Sequence, residues 1–255
     1  MIGIFDSGAG GLSVFREIRK VLPQEQYIYF SDNAHCPYGE KSREYIIDRA
    51  RHITEFLLSK GAEIIVVACN TATAAAIADL RREYGIRFIG MEPAIKPAAQ
   101  CTRTGTVGVL ATAGTLNADK YKNTREKFAD GIRIVEHVGQ GFVELVESGK
   151  TIGKEAEETV GRSLGPLLAE GADTIVLGCT HYPFLADTIR KVASQLVPGR
   201  HVTIIDPAPA VASHLLEVMK EENLLKPVPE GYGISLYSSG DPAALERTFN
   251  SLQCP

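Results

Sequence analysis

The sequence predicts an α/β protein of two pseudo-symmetric domains, each a mainly parallel sheet flanked by helices, with an active site in the cleft between them. Three observations carry this expectation. Short β-rich runs alternate with longer amphipathic stretches throughout the 255 residues, the pattern of βαβ units. The second half repeats landmarks of the first in the same order. Each repeated landmark falls at the end of an expected strand, where open α/β sheets bind their ligands.

Residues 2–5 read as the first strand, and 12–22 as a helix with Leu12, Phe15, Ile18 and Leu22 on one face, stopped by Pro23. A second strand follows at 27–30. Ser42 is placed to cap a helix running to Lys60, with Gly61 as its left-handed exit. The apolar run 64–68 reads as a buried strand, 71–84 as a helix ended by Gly85, and 86–91 as a further strand. The second half continues in kind, with strands at 106–110, 132–137, 174–178 and 202–205 and helices near 116–128, 140–148, 154–170 and 183–196. A helix after Pro207, a strand at 233–237 and a helix from Pro242 complete the series.

The duplication rests on three collinear matches. "IGIFDSGAG" at 2–10 resembles "VGVLATAGT" at 107–115, a displacement of 105. Cys69 and Cys179 are displaced by 110, and "MEPA" at 91–94 and "IDPA" at 205–208 by 114. Slowly growing offsets are what two copies of one unit with small insertions produce.

Composition narrows the function classes. Hydrophobic residues make up 44% and charged residues 23%, ordinary for a water-soluble globular chain. A net charge of −4 argues against sequence-independent nucleic-acid binding, which needs a basic surface. No apolar run approaches the roughly 20 residues of a membrane span, and the chain opens in strand-like sequence without a signal peptide. Five cysteines without disulfide-scaffold density point to reduced thiols in a cytoplasm.

Two of those cysteines hold equivalent places in the repeat, each followed by small polar residues: Cys69-Asn70-Thr71 and Cys179-Thr180-His181. With Asp6-Ser7 and Thr112 at the other repeated strand ends, two facing domains would offer two half-sites across one cleft. A cysteine at the mouth of a helix N-terminus forms its thiolate more easily than a free thiol. Two thiols on opposite faces of a carbon acid suit inversion of a stereocentre: one removes a proton, the other returns one, and neither metal nor redox cofactor is required. Helix N-termini and the polar groups of Ser7, Asn70, Thr71, Thr112, Thr115 and Thr180 are suited to hold carboxylates.

Rival readings are weaker. A zinc cluster lacks its spacing, since the nearest two cysteines are 32 residues apart, and the adjacent pair His35-Cys36 has no complementary cluster. Gly8-Ala9-Gly10-Gly11 with Asp32 imitates a dinucleotide fingerprint, but Ser13 stands where its third glycine belongs and Asp6 would repel a pyrophosphate. A two-lobed amino-acid receptor explains a polar cleft and gives the paired cysteines no role. Asp6 could instead cap the helix after the glycine loop, and His181 could be a packing residue.

"GIFDSGAGG", "PYG" at 37–39, "ACNTAT" at 68–73 and "GCTHYP" at 178–183 together resemble the bacterial glutamate racemases, over essentially the whole chain. The resemblance implies a first domain of residues 1–93 plus 208–255, completed by the returning C-terminal segment, and a second of 94–207. It implies cofactor-independent interconversion of L- and D-glutamate, the D-isomer being destined for the peptide of peptidoglycan. It further implies Cys69 and Cys179 as the two proton donor/acceptors, assisted by Asp6 and His181 respectively. Asp6, Ser7, Tyr38, Gly39, Asn70, Thr71, Thr112, Thr115, Thr180 and His181 are implied as substrate contacts, with Glu147 as a further acidic residue of the cleft. A homodimer is compatible with it; no metal, nucleic-acid or membrane partner is expected. One departure is local: Gly139-Gln140-Gly141 stands where many relatives carry Cys-Pro before "FV". Aspartate or a related amino acid is the nearest alternative substrate, because two thiols do not identify a side chain.

Overall fold

The computed structural model describes residues 1–128, 130–225 and 233–252. The chain divides into one unit of Met1–Met91 with Ala208–Pro255 and a second of Glu92–Pro207. In chain order, the first unit runs β1 (Ile2–Asp6), α1 (Leu12–Val21), β2 (Gln26–Ser31), α2 (Arg43–Ser59), β3 (Ile64–Val67), α3 (Asn70–Glu83) and β4 (Arg87–Gly90). The second contains α4 (Ile95–Cys101), β5 (Thr106–Ala111), α5 (Ala113–Asn117), α6 (Asp119–Phe128), β6 (Arg133–Val138), α7 (Phe142–Glu147), α8 (Lys154–Ala169), β7 (Thr174–Gly178), α9 (Ala186–Leu196) and β8 (Thr203–Ile205). The chain then returns to the first unit as α10 (Ala208–Glu221), β9 (Gly233–Ser238) and α11 (Pro242–Ser251).

Every strand pairing among the described residues is parallel. The sheet orders are β4-β3-β1-β2-β9 and β6-β5-β7-β8, so β1 to β4 and β5 to β8 share one order and β9 extends only the first sheet. The register repeats too: Ile2 pairs with Ile64, and their counterparts Val107 and Thr174 pair with each other. The third sequence match is corrected by this register. Arg87 opposes Ile64 and Thr203 opposes Thr174, a displacement of 116, so "MEPA" and "IDPA" lie two residues out of structural equivalence. The connection after β8 is shorter than that after β4, which brings similar residues together in sequence from different places in the loop.

The central strands read as near-continuous apolar runs because both their faces are covered, whereas the edge strands β6, β8 and β9 are only part-buried. All four residues of β3 and all five of β7 are buried. Ala50, Ile53 and Leu57 of α2 and Ala72, Ala76 and Leu80 of α3 pack into one such core; Val107, Val109 and Ala111 of β5 pack with Ile95 and Ala98 of α4 in the other unit.

Local chemistry moved several boundaries. Ser42 caps α2 by accepting from the Tyr45 amide at 3.2 Å, and Gly61 exits it at φ 91°. The helix expected near 116–128 is two helices: Thr112 caps α5 early, and Ala118 is extended before α6. The helix expected from 183 begins at Ala186, preceded by a 3-10 turn over Tyr182–Leu185 that contains Pro183. Helix α4 and the 3-10 turns Asn33–His35 and Tyr38–Glu40 were not anticipated. Among the described residues no helix is long and apolar enough to cross a membrane.

Candidate active site

Adjacent parallel strands bring the ends of β1, β2 and β3 together in the first unit. Asp6 closes β1, and its Oδ2 accepts from the amides of Gly8 at 3.1 Å and Gly11 at 3.0 Å, which fixes the glycine loop. Both amides precede the first turn of α1, whose N-cap is Gly11 with no side-chain cap bond, so these bonds order the loop. Gly11 is required by close approach: a Cβ there would lie 2.6 Å from Asp6 Cβ and 2.7 Å from the Tyr29 hydroxyl. The loop sets Ser7 beside the end of β3, where the Cys69 thiol donates to Ser7 Oγ at 3.6 Å.

Cys69 occupies the N-cap of α3, and its Sγ accepts from the Ala72 amide at 3.4 Å. Asn70 and Thr71 form the first turn of that helix and are buried. Asn70 Oδ1 is buried with no hydrogen-bond partner among the described residues, an acceptor in want of a donor. The amides and dipole of a 14-residue helix favour an anion at this position, so the thiolate is stabilised where it forms. Thr73, one turn on, is structural: it donates to Val67 O at 3.0 Å and accepts from the Met91 amide at 3.0 Å.

Tyr38 and Gly39 follow β2. The Tyr38 ring belongs to the core, and its hydroxyl donates to Asp32 Oδ2 at 2.5 Å. Arg49 of α2 grips the same carboxylate bidentately, Nε to Oδ2 at 3.0 Å and Nη2 to Oδ1 at 2.8 Å. Burial pushes the Asp32 carboxyl up, but bonds from Arg49, Tyr38 and Ser239 outweigh it and hold the group below its ordinary value. Burial, followed by the Asp32 charge, drives the Tyr38 phenol far above its ordinary pKa. The phenol is thus committed inward, and the Tyr38 carbonyl accepts from the Lys41 amide at 3.1 Å. Asp32 is the acid that imitated a ribose-binding residue; its bidentate guanidinium shows it is spent inside the protein. His35 turns Nδ1 to the Tyr45 hydroxyl at 2.5 Å.

In the second unit, β5 and β7 are neighbours and are followed at once by Thr112 and Cys179. Thr112 Oγ1 accepts from the Thr115 amide at 3.3 Å and donates to Thr115 Oγ1 at 3.0 Å, so the two hydroxyls form one unit. Cys179, Thr180 and His181 are all buried. His181 Nδ1 lies 3.8 Å from Cys179 Sγ, and its Nε2 lies 2.6 Å from Glu147 Oε1 of α7. A carboxylate only accepts, so the Nε2 proton belongs to this bond and Nδ1 presents its lone pair to the thiol.

The second cysteine therefore differs from its expected setting. No α-helix begins at Cys179; the 3-10 turn intervenes and α9 starts seven residues later. The Glu147–His181 pair lies beside Cys179 Sγ, whereas Cys69 Sγ lies at a helix N-terminus. Tyr182 donates to Gly139 O at 3.3 Å, and a Cβ on Gly139 would lie 2.6 Å from Tyr182 Cζ. Gly141 begins α7 at φ 83°. These two contacts account for Gly139-Gln140-Gly141, and with it α7 still delivers Glu147 to His181. Sequence reasoning missed Arg49 and the inward role of Asp32; an arginine on the buried side of a helix beside a strand-end acid was the available signal.

Residues 2–215 match the Asp/Glu/Hydantoin racemase family. A glutamate racemase of Ectopseudomonas mendocina is 48% identical over 241 residues, 94% of this chain and 89% of that protein. The crystal structure of glutamate racemase isoform RacE1 from Bacillus anthracis superposes with a TM-score of 0.87 at 32% identity, covering 99% of this chain and 93% of that one. Escherichia coli glutamate racemase, solved with L-glutamate and the activator UDP-MurNAc-ala, gives 0.86 at 33% identity over 99% and 93%. The chain belongs to the Asp/Glu/Hydantoin racemase family.

Proposed function

We propose that this protein is a glutamate racemase that interconverts L- and D-glutamate without a cofactor, using Cys69 and Cys179 on opposite faces of Cα. One thiolate takes the Cα proton and becomes a thiol; the carbanion is left with the electron pair; the opposing thiol donates its proton to the other face and becomes a thiolate. The reverse reaction exchanges the roles.

The observation that carries the reading is the pair of repeat-equivalent strand-end cysteines, each with its own means of handling a proton. At Cys69 the Ala72 amide and Ser7 hydroxyl stabilise the thiolate. At Cys179 the imidazole takes the proton while Glu147 steadies the resulting imidazolium. Asp6 orders Ser7 and assists the first thiol. Asn70 Oδ1 accepts from the substrate ammonium, and the backbone of Tyr38-Gly39 together with Thr71, Thr112, Thr115 and Thr180 receives the carboxylates. Similarity to racemases solved with glutamate supports that substrate over aspartate. The setting we infer is the cytoplasm, supplying D-glutamate to peptidoglycan synthesis.

The test is loss of optical activity by circular dichroism when purified protein is given L-glutamate alone, with L-aspartate in parallel. Decay of the glutamate signal to zero is expected. Binding without decay favours a two-lobed receptor, and faster decay of aspartate reassigns the substrate.

A further inference from the structure

The Asp32 carboxylate is completely buried and gathers donors from three separate stretches of chain. Arg49 reaches it from α2 with both arms of its fork, at 3.0 and 2.8 Å. The Tyr38 hydroxyl donates from the 3-10 turn that follows β2, at 2.5 Å, and Ser239 from the residues after β9. His35 Nε2 stands 4.0 Å from Oδ1. Of these groups Arg49 alone carries a permanent positive charge. Its side chain is only 20% exposed, on a helix that otherwise buries Ile46, Ala50, Ile53 and Leu57.

This cluster meets the candidate active site through Tyr38. The Tyr38 ring and Cys69 lie in one buried cluster, and the charge of Cys69 acts on the phenol. The turn Tyr38–Glu40 packs against α3, the helix whose N-cap is Cys69. A buried phenol that loses its acceptor has no water to replace it, so it must move or stay unsatisfied. What fixes the phenol therefore fixes the wall beside that thiol.

We propose that Arg49 is a positioning residue for racemisation: its fork fixes the acceptor to which Tyr38 donates, and thereby holds the Tyr38–Glu40 turn in place beside Cys69. Arg49 itself touches no substrate. Burial alone would push the Asp32 carboxyl up, and the Arg49 bonds are the largest of the contributions that hold it below its ordinary value. Without the guanidinium, Asp32 takes up a proton at higher pH and becomes a weaker acceptor for the phenol. The effect on catalysis rests on the proposed role of Cys69; the clamp on that thiol does not.

The experiment labels the thiols of the full chain with iodoacetamide, follows Cys69 and Cys179 separately by peptide mass spectrometry, and measures kcat/KM for L-glutamate on the same samples. Cys179 lies in the other unit and serves as the internal reference. Arg49→Met and Tyr38→Phe are each expected to speed labelling of Cys69 about tenfold, the weight of one charged hydrogen bond, while Cys179 labels at the wild-type rate. The value of kcat/KM should fall by a similar factor, and its acid limb should move to higher pH in Arg49→Met. Arg49→Lys, which keeps the charge but not the fork, should restore the acid limb and only part of kcat/KM. The double variant Arg49→Met/Tyr38→Phe should be no worse than the worse single one, because both act on one hydrogen bond. Wild-type labelling of Cys69 in folded Tyr38→Phe, additive effects in the double variant, or equal acceleration at Cys69 and Cys179 overturns the clamp. Faster labelling with unchanged kcat/KM overturns the positioning role. Tyr38→Phe loses a single oxygen, so its arm decides if far-UV circular dichroism finds Arg49→Met unfolded. Absence of racemisation in the wild type overturns the function instead, and the labelling still decides the clamp.

Discussion

The Nε2 of His181 lies 2.6 Å from Oε1 of Glu147, and the same ring turns its Nδ1 to the Cys179 sulfur at 3.8 Å. Replacing the carboxylate by an amide removes both the fixed tautomer and the charge that stabilises the imidazolium. Glu147→Gln is expected to lower kcat/KM about 10- to 100-fold, as loss of such supporting partners does. The factor must be equal from L- and from D-glutamate, since the equilibrium constant is one. Initial rates from each pure enantiomer check it; an unchanged rate contradicts the role.

In the proposed reaction each thiol serves one face. Cys69→Ser and Cys179→Ser are expected to cut racemisation by about 10³-fold or more, within the scale of lost acid–base catalysis. Each variant should still expel a leaving group from Cβ of a substituted glutamate of one configuration, because elimination needs one abstraction only. Racemisation and halide release measured side by side distinguish a missing acid/base from a collapsed site.

Asp32 holds its low pKa through Arg49 and Tyr38. Its folded pKa lies below the unfolded value, so its contribution is full above about pH 4 and is lost as pH falls through the folded pKa. Asp32→Asn leaves Arg49 without its partner and is expected to cost about 3 kcal/mol at neutral pH, with the deficit narrowing in acid. Urea unfolding of both proteins at several pH values reads this. A deficit that widens on acidification contradicts the sign.

Gly139 faces the Tyr182 ring with no room for a Cβ. Gly139→Ala is expected to destabilise by about 1–3 kcal/mol, the usual penalty for overpacking. Combining it with Tyr182→Phe should recover part of the loss, read as a coupling free energy in thermal or urea unfolding. Strict additivity contradicts the contact.

Much of the fold was legible because its signals are local. Apolar runs such as Ile64–Val67, the Ser42 cap and the Gly61 exit act within a few residues, and the repeat of Cys69 and Cys179 marks equivalent strand ends. What the sequence hid depends on contacts far along the chain. Arg49 meets Asp32 across 17 residues and Glu147 meets His181 across 34, and neither spacing has a period to betray it. The two-residue slip between "MEPA" and "IDPA" was hidden for the same reason, because register is set by the neighbouring strand. The unlike surroundings of the two cysteines turn on the 3-10 turn containing Pro183, which puts the start of α9 at Ala186 where the sequence predicts a helix from 183.

The central claim is a proton removed on one face and a different one delivered on the other. The measurement that tests it most directly is the isotopic content of both enantiomers early in the conversion of L-glutamate in D₂O. The account predicts that the first D-glutamate formed carries deuterium at Cα while the remaining L-glutamate keeps its protium. D-glutamate that retains the original hydrogen, or L-glutamate that gains deuterium as fast as it inverts, would contradict it.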